Sequence, residues 1–254
     1  RIAMALHRSK QFPPKKSKST TSRRDRTTDG STDHKTFVAR TPIQKQHYDA
    51  LMQNRMVFCV GPAGTGKTHV SLEAAAYLLL KNAIREIVVI RSPIEAGEKI
   101  GFLPGDINEK IDPYFAAVLV ILNRILGRGY VDCAVRKGNI RMEPFAFLRS
   151  GTIDHSFVLI EEAQNSTISQ MKLALTRIGN NTRYCIAGDD RDQTDLPVGV
   201  TSGLTHAVHL FHGVPNTQII KYDIDDIVRD DMCKVIVKSY RSEQARKMNL
   251  SLVS

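Results

Sequence analysis

The stretch GPAGTGKTH, Gly61 to His69, limits what this chain can fold into more than any other part of it. It matches G-x-x-x-x-G-K-[ST] in full, and its flanks are the ones the pattern needs. A short β-branched and aromatic run, MVFCV, precedes it, and HVSLEAAAYLLLKNA, with apolar residues at helical spacing, follows. A strand that turns through glycines into a helix points successive backbone N–H groups at an anion held at the positive end of that helix. A nucleotide polyphosphate is therefore the expected ligand of Gly61, Pro62, Ala63, Gly64, Thr65, Gly66, Lys67, Thr68 and His69. In such loops the lysine, here Lys67, reaches the β- and γ-phosphates, and the hydroxyl, here Thr68, holds Mg²⁺.

The rest of the chain fits a sheet built around that loop. EIVVIRSP, SFVLIEE, RYCIAGDD and TQIIKYD are further apolar strand candidates, and DPYFAAVLVILNRILG, STISQMKLALTRIG and SGLTHAVHLFHG are helix candidates among them. Asp112-Pro113 is expected to open the first of these helices, and Gly127 to close it. Ahead of the loop, RTPIQKQHYDALMQN has Thr41 as N-cap and Pro42 at the first helical position. Apolar runs without alternation indicate strands covered on both faces. The expected fold is α/β, a doubly wound, mostly parallel sheet with helices on both faces across residues 36–241. It lies between a basic tail, 1–35, and a short C-terminal tail, 242–254.

Charge separates the tail from the rest. Residues 1–40 carry 11 Lys/Arg against 3 Asp/Glu, leaving 25 against 23 beyond them, although the whole chain is +10. Runs such as PPKKSKSTTSRRDR hold too little apolar surface to offset the entropy of ordering them, so residues 1–35 are expected to be disordered. Such a tail is a solvated terminus, a polycation for nucleic-acid phosphates, or a targeting segment rich in Arg and Ser/Thr. Arg1 in the first position suits a shortened sequence. The longest apolar run, AAVLVILNRIL, is broken by Asn123 and Arg124, so no membrane span is expected. Cys59, Cys133, Cys185 and Cys233 lie far apart with no metal-ligand spacing, which suits reduced core thiols in a cytoplasmic protein.

A phosphate loop calls for a second strand ending in a carboxylate, and FVLIEEAQN supplies two. Glu161 is the expected Mg²⁺ partner and Glu162 the general base that polarises the attacking water. A third strand ends in GDDRDQTDLP, which brings Asp189 and Gln193 toward the same crevice as γ-phosphate or water sensors.

Taken together, GPAGTGKT, RSPIEAGEKIGFLPGDINEKIDPY, LIEEAQNSTISQMKLALTRIG, GDDRDQTDLP and IVRDDMCKVIVKSY resemble the PhoH-like ATPase family, across about residues 40–241. The resemblance implies a RecA-like core close to superfamily-one helicases, ATP and Mg²⁺ as ligands, and homo-oligomeric rings, hexamers among them, that act on RNA or other single-stranded nucleic acid. It also implies that Gln44 contacts adenine and that Arg229 reaches phosphate, from the same or a neighbouring subunit. Arg91 and Glu98 fall in a segment resembling a helicase nucleic-acid-coupling motif. There are two departures from the family pattern. Glu161 stands where an aspartate is usual, and LRSGT keeps Arg149 but has Gly151 where a second arginine is usual.

Two functions of different class follow. One is Mg²⁺-dependent ATP hydrolysis coupled to RNA remodelling, with Lys67, Glu162, Gln193 and Arg229 as the catalytic set. The other is a nucleotide-switched RNA-binding module with little turnover, which the longer acid at Glu161 favours. A small-molecule kinase is a weaker third, because no acceptor site is recognisable.

Overall fold

The computed structural model describes the backbone of residues 37–91, 107–145, 148, 151–189, 195–197 and 199–251. Side chains are described at all of these except 107–114, 244–245 and 247–251. Among the described residues six strands form one sheet: β1 Met56–Val60, β2 Glu86–Arg91, β3 Ile140–Pro144, β4 Ser156–Glu161, β5 Arg183–Gly188 and β6 Thr217–Lys221. Their order is β3-β2-β4-β5-β1-β6, and every neighbouring pair is parallel. The expected doubly wound α/β fold is thus present, with an all-parallel sheet.

The four inner strands explain the unbroken apolar runs. Alternate residues must face opposite sides of a pleated strand. Val57, Cys59, Ile87, Val89, Phe157 and Leu159 join one core, with α1 (Pro42–Gln53), α2 (Lys67–Leu80), α3 (Ile107–Leu126) and α4 (Arg128–Arg136). Phe58, Val60, Val88, Ile90, Val158, Ile160 and Ile186 join the other, with α5 (Ile168–Leu175) and α6 (Gly203–Leu210). The final helix, α7, runs Asp231–Ser251. No helix among the described residues is long and apolar enough to cross a membrane.

The structure corrects the sequence in three places. β3, IRMEP, was not expected; it is an edge strand in which only Ile140 is buried and Met142 half-buried, an alternation just four residues long that ends in Pro144. α3 begins at Ile107, not at Asp112-Pro113. Ile107, Ile111, Phe115, Val118 and Leu122 keep helical spacing through the proline, whose fixed φ suits a helix although its ring displaces the hydrogen bond to the Glu109 carbonyl. Finally, Cys59 and Cys185, 126 positions apart, meet in the core with sulfurs at 3.5 Å. Adjacent parallel strands bring together what sequence spacing kept apart.

Candidate nucleotide site

β1 delivers the chain to Gly61, and the loop ends where Gly66, in the left-handed region at φ 85°, hands it to α2 at Lys67. A Cβ on Gly66 would sit 2.8 Å from Gln44 Nε2, so both the backbone twist and the neighbouring amide demand glycine there. The loop is pinned from three directions. Gly61 N–H donates to the Gly188 carbonyl at the end of β5 (3.2 Å), and Val228 N–H donates to the Gly64 carbonyl (3.0 Å). Within the loop the Thr65 hydroxyl donates to the Pro62 carbonyl at 3.1 Å.

Gln44 closes the third side. It is buried in α1, where Thr41 caps the helix and accepts from the Gln44 N–H, and Pro42 stands in the first turn, as expected. Its Nε2 donates to the Thr65 carbonyl at 2.9 Å, and its Oε1 accepts from the Arg40 N–H at 2.8 Å. One N–H and one lone pair of the amide remain for a ligand. Lys67 folds over the loop, its ammonium donating to the Gly61 and Pro62 carbonyls at 2.7 and 2.8 Å.

Above the loop lies a cavity of about 510 Å³. Gln44, Ala63, Gly64, Gly66, Lys67, Thr68, His69, Glu162 and Arg229 all line it, so one crevice gathers most of the residues singled out from the sequence. Arg229 does so within the same chain as Lys67. Arg40 and Arg124 add two cations that the sequence did not single out, and Phe37, Val38 and Ile121 add an apolar wall. Phe37 stacks on Tyr48, with ring centroids 4.7 Å apart. The signal for Arg124 was present: it is the charge that interrupts the apolar run of α3. His69 pairs with Glu73 at 3.5 Å when protonated, but burial, then Arg40 and Arg124, press its pKa down and favour the neutral ring.

The carboxylates stand at the end of β4. Glu161 is 8% exposed, with the Thr68 hydroxyl beside it. Burial pushes its pKa up, against the pull of that hydroxyl and of Arg91, its register partner on β2. Glu162 takes a left-handed φ of 47°, uncommon for a side chain of this size.

A residue not singled out from the sequence connects this pair to the next strand. Gln164 Nε2 donates to Glu162 Oε2 at 2.7 Å, and Gln164 Oε1 accepts from the Asp189 N–H at 3.1 Å. Gly188 leaves room for it: a Cβ there would lie 2.6 Å from Gln164 Oε1. A smaller pocket of about 60 Å³ between Lys67, Thr68, Glu162, Gln164 and Asp189 adjoins the loop. Gln193, Glu98, Arg149, the GEKIGFLPGD segment and residues 1–35 lie outside the described residues.

Thr68 and Glu161 bring two hard oxygen donors together, the kind Mg²⁺ takes. Four cations, Arg40, Lys67, Arg124 and Arg229, and the largely neutral His69 face the larger cavity against one acid, Glu162, among the described residues. That balance suits a polyanion beside an apolar wall.

A family model described as PhoH-like protein matches residues 36–241. The chain is 38% identical over 206 residues to the PhoH-like protein of Bacillus subtilis (strain 168), covering 81% of this chain and 64% of that one. It is 37% identical over 212 residues to Protein PhoH of Escherichia coli (strain K12), with 83% and 60% covered. Against the PhoH-like protein of Synechocystis sp. it is 36% identical over 206 residues, with 81% and 62% covered. The chain therefore spans between 60% and 64% of the length of these relatives.

Proposed function

Because this chain belongs to the PhoH-like protein family, we propose that its phosphate loop binds ATP with Mg²⁺ and that the carboxylates at the end of β4 promote hydrolysis. The observation that carries this reading is the single cavity over the phosphate loop that Gln44, Lys67, Thr68, Glu162 and Arg229 all line. Gln44 would offer its remaining N–H and lone pair to the adenine, with Phe37, Val38 and Ile121 beside the ring. Lys67 would exchange its loop carbonyls for the β- and γ-phosphate oxygens. Thr68 and Glu161 would hold Mg²⁺, which neutralises phosphate charge when bound.

Glu162 would take the proton of the attacking water. Gln164 engages its Oε2, which orients the carboxylate and leaves Oε1 as the more basic oxygen. Asp189 is tied to the same amide through its backbone, so the γ-phosphate side of the site has a rigid link from β4 to β5. Gln193, next in the GDDRDQTDLP segment, would complete the sensing of water. Arg229 would meet phosphate from the same chain, since it lines that chain's own cavity.

The nucleic-acid step rests on the family resemblance and on charge. Removing residues 1–35 takes away 10 Lys/Arg and 3 Asp/Glu. Along α7, Met232, Val235, Ile236 and Tyr240 are exposed at helical spacing, an apolar strip that supports assembly into a homo-oligomeric ring. ATP turnover by the purified chain with and without RNA and DNA tests the reading. Turnover raised by RNA supports a coupled ATPase; RNA binding that responds to ATP without turnover supports the nucleotide-switched alternative; neither would overturn both.

A further inference from the structure

Behind the phosphate loop, on the face of the sheet covered by α1 and α2, lies a second constellation that nucleotide chemistry does not use. His47, Cys59 and Cys185 are each fully buried, and one ligating atom from each falls within 4.8 Å of the others. The sulfurs are 3.5 Å apart, and Cys185 Sγ is 3.6 Å from His47 Nε2. The Ser71 hydroxyl lies 3.1 Å from Cys185 Sγ and donates to the Lys67 carbonyl at 2.8 Å.

A disulfide does not fit. The register sets Cys185 opposite Val57 and Cys59 opposite Ala187, an offset of two residues between neighbouring strands. With strand spacing near 4.8 Å and two residues of rise, the Cα atoms stand about 8 Å apart, beyond the roughly 7 Å a disulfide tolerates without backbone movement.

A tetrahedral cation does fit. Zn–S bonds of about 2.3 Å and Zn–N bonds near 2.05 Å give tetrahedral edges of about 3.8 Å between sulfurs and about 3.6 Å between sulfur and nitrogen. The sulfur–sulfur and Cys185–His47 separations match within a few tenths of an ångström, and Cys59 and His47 lie within 4.8 Å of each other. The other ring nitrogen of the histidine is also engaged: His47 Nδ1 is 2.9 Å from the Tyr222 hydroxyl, an outer hydrogen bond of the kind that holds the ring of a metal-ligating histidine in place. Charge chooses the ion. Two thiolates and a neutral imidazole exactly cancel a divalent cation, whereas a monovalent copper ion would leave a net negative charge in a dry core.

We infer that His47, Cys59 and Cys185 form a structural Zn²⁺ site, with Ser71 as the fourth donor. Its position gives it a task. Cys59 lies two residues before Gly61, His47 three after Gln44, and Ser71 four after Lys67. The ion therefore joins α1, β1, α2 and β5 behind the nucleotide loop and fixes the elements that carry Gln44 and Lys67.

The test loads the whole chain during refolding, because the ligands are buried. Metal-free chain is refolded with Zn²⁺ or with Co²⁺, and the bound metal is counted after removal of excess. The expected result is about one zinc per chain, with a higher Tm than chain refolded with chelator. Cobalt should give a thiolate-to-metal charge-transfer band, which the oxygen donors Thr68 and Glu161 cannot produce. Cys59→Ala and Cys185→Ala, with folding checked by circular dichroism, should each lose the band. If either variant fails to fold, the wild-type spectrum and stoichiometry still decide. Wild-type chain that refolds without the band and holds below about a tenth of a zinc per chain would overturn the site and leave the cluster a hydrogen-bonded thiol pair.

Discussion

The Thr68 hydroxyl lies beside the Glu161 carboxylate and favours its charged form, so the last residue of the loop pattern and the first acid at the end of β4 already face one another. An aspartate at position 161 would draw the carboxylate back by one methylene and open that contact. Glu161→Asp is therefore expected to lower Mg²⁺-dependent turnover by about tenfold or more, roughly 1.4 kcal/mol in barrier. A rate equal to or above wild type, measured by phosphate release, would show that the longer acid is only tolerated.

Glu162→Gln keeps the shape of the side chain and the bond from Gln164 but removes the basic oxygen. ATP should still bind, while hydrolysis falls about a hundredfold or more, within the range of a lost general base. Single-turnover kinetics separate the two effects, and an unchanged chemical step would assign the base elsewhere.

Gly188→Ala tests the link from β4 to β5. The new methyl would meet Gln164 Oε1 and Leu204 Cδ2, each at 2.6 Å, in a closely packed corner. The expected cost is about 1–3 kcal/mol of stability, read as a lower Tm. Hydrolysis should fall more than ATP affinity, because Gln164 positions Glu162 and does not line the larger cavity. Equal losses in both would deny Gln164 that positioning role.

Arg229 lines the cavity of its own chain, so its loss should not be complemented in trans. Mixing Arg229→Ala chains with Glu162→Gln chains should restore no turnover, once mixed assembly is verified. Recovered activity at intermediate ratios would place the arginine across a subunit boundary.

Much of this site was legible because its signals are local. The phosphate loop, the Thr41–Pro42 start of α1 and the apolar runs ending in Glu161 and Asp189 each depend on neighbours in sequence, and the structure sets them where their patterns imply. What was not legible depends on neighbours in space. Gln164 gains its part from bonds to Glu162 and to the Asp189 backbone, on the next strand. Arg124 reads as a flaw in an apolar helix until α3 is laid beside the loop. Cys59 and Cys185 share no spacing rule, since only strand order makes them neighbours. β3 escaped notice because its apolar face is only Ile140 and Met142, too short an alternation to stand out at a sheet edge.

The most direct measurement compares ATP turnover by the wild-type chain and by Lys67→Ala in the presence of Mg²⁺. Lys67 holds the one ammonium placed over the loop carbonyls among the described residues, at 2.7 and 2.8 Å, and the proposed mechanism transfers it to the β- and γ-phosphates. The wild type should release phosphate, and the variant should fall to background while remaining folded by circular dichroism. Turnover in Lys67→Ala equal to that of the wild type would contradict the assignment of this cavity as the site of ATP hydrolysis.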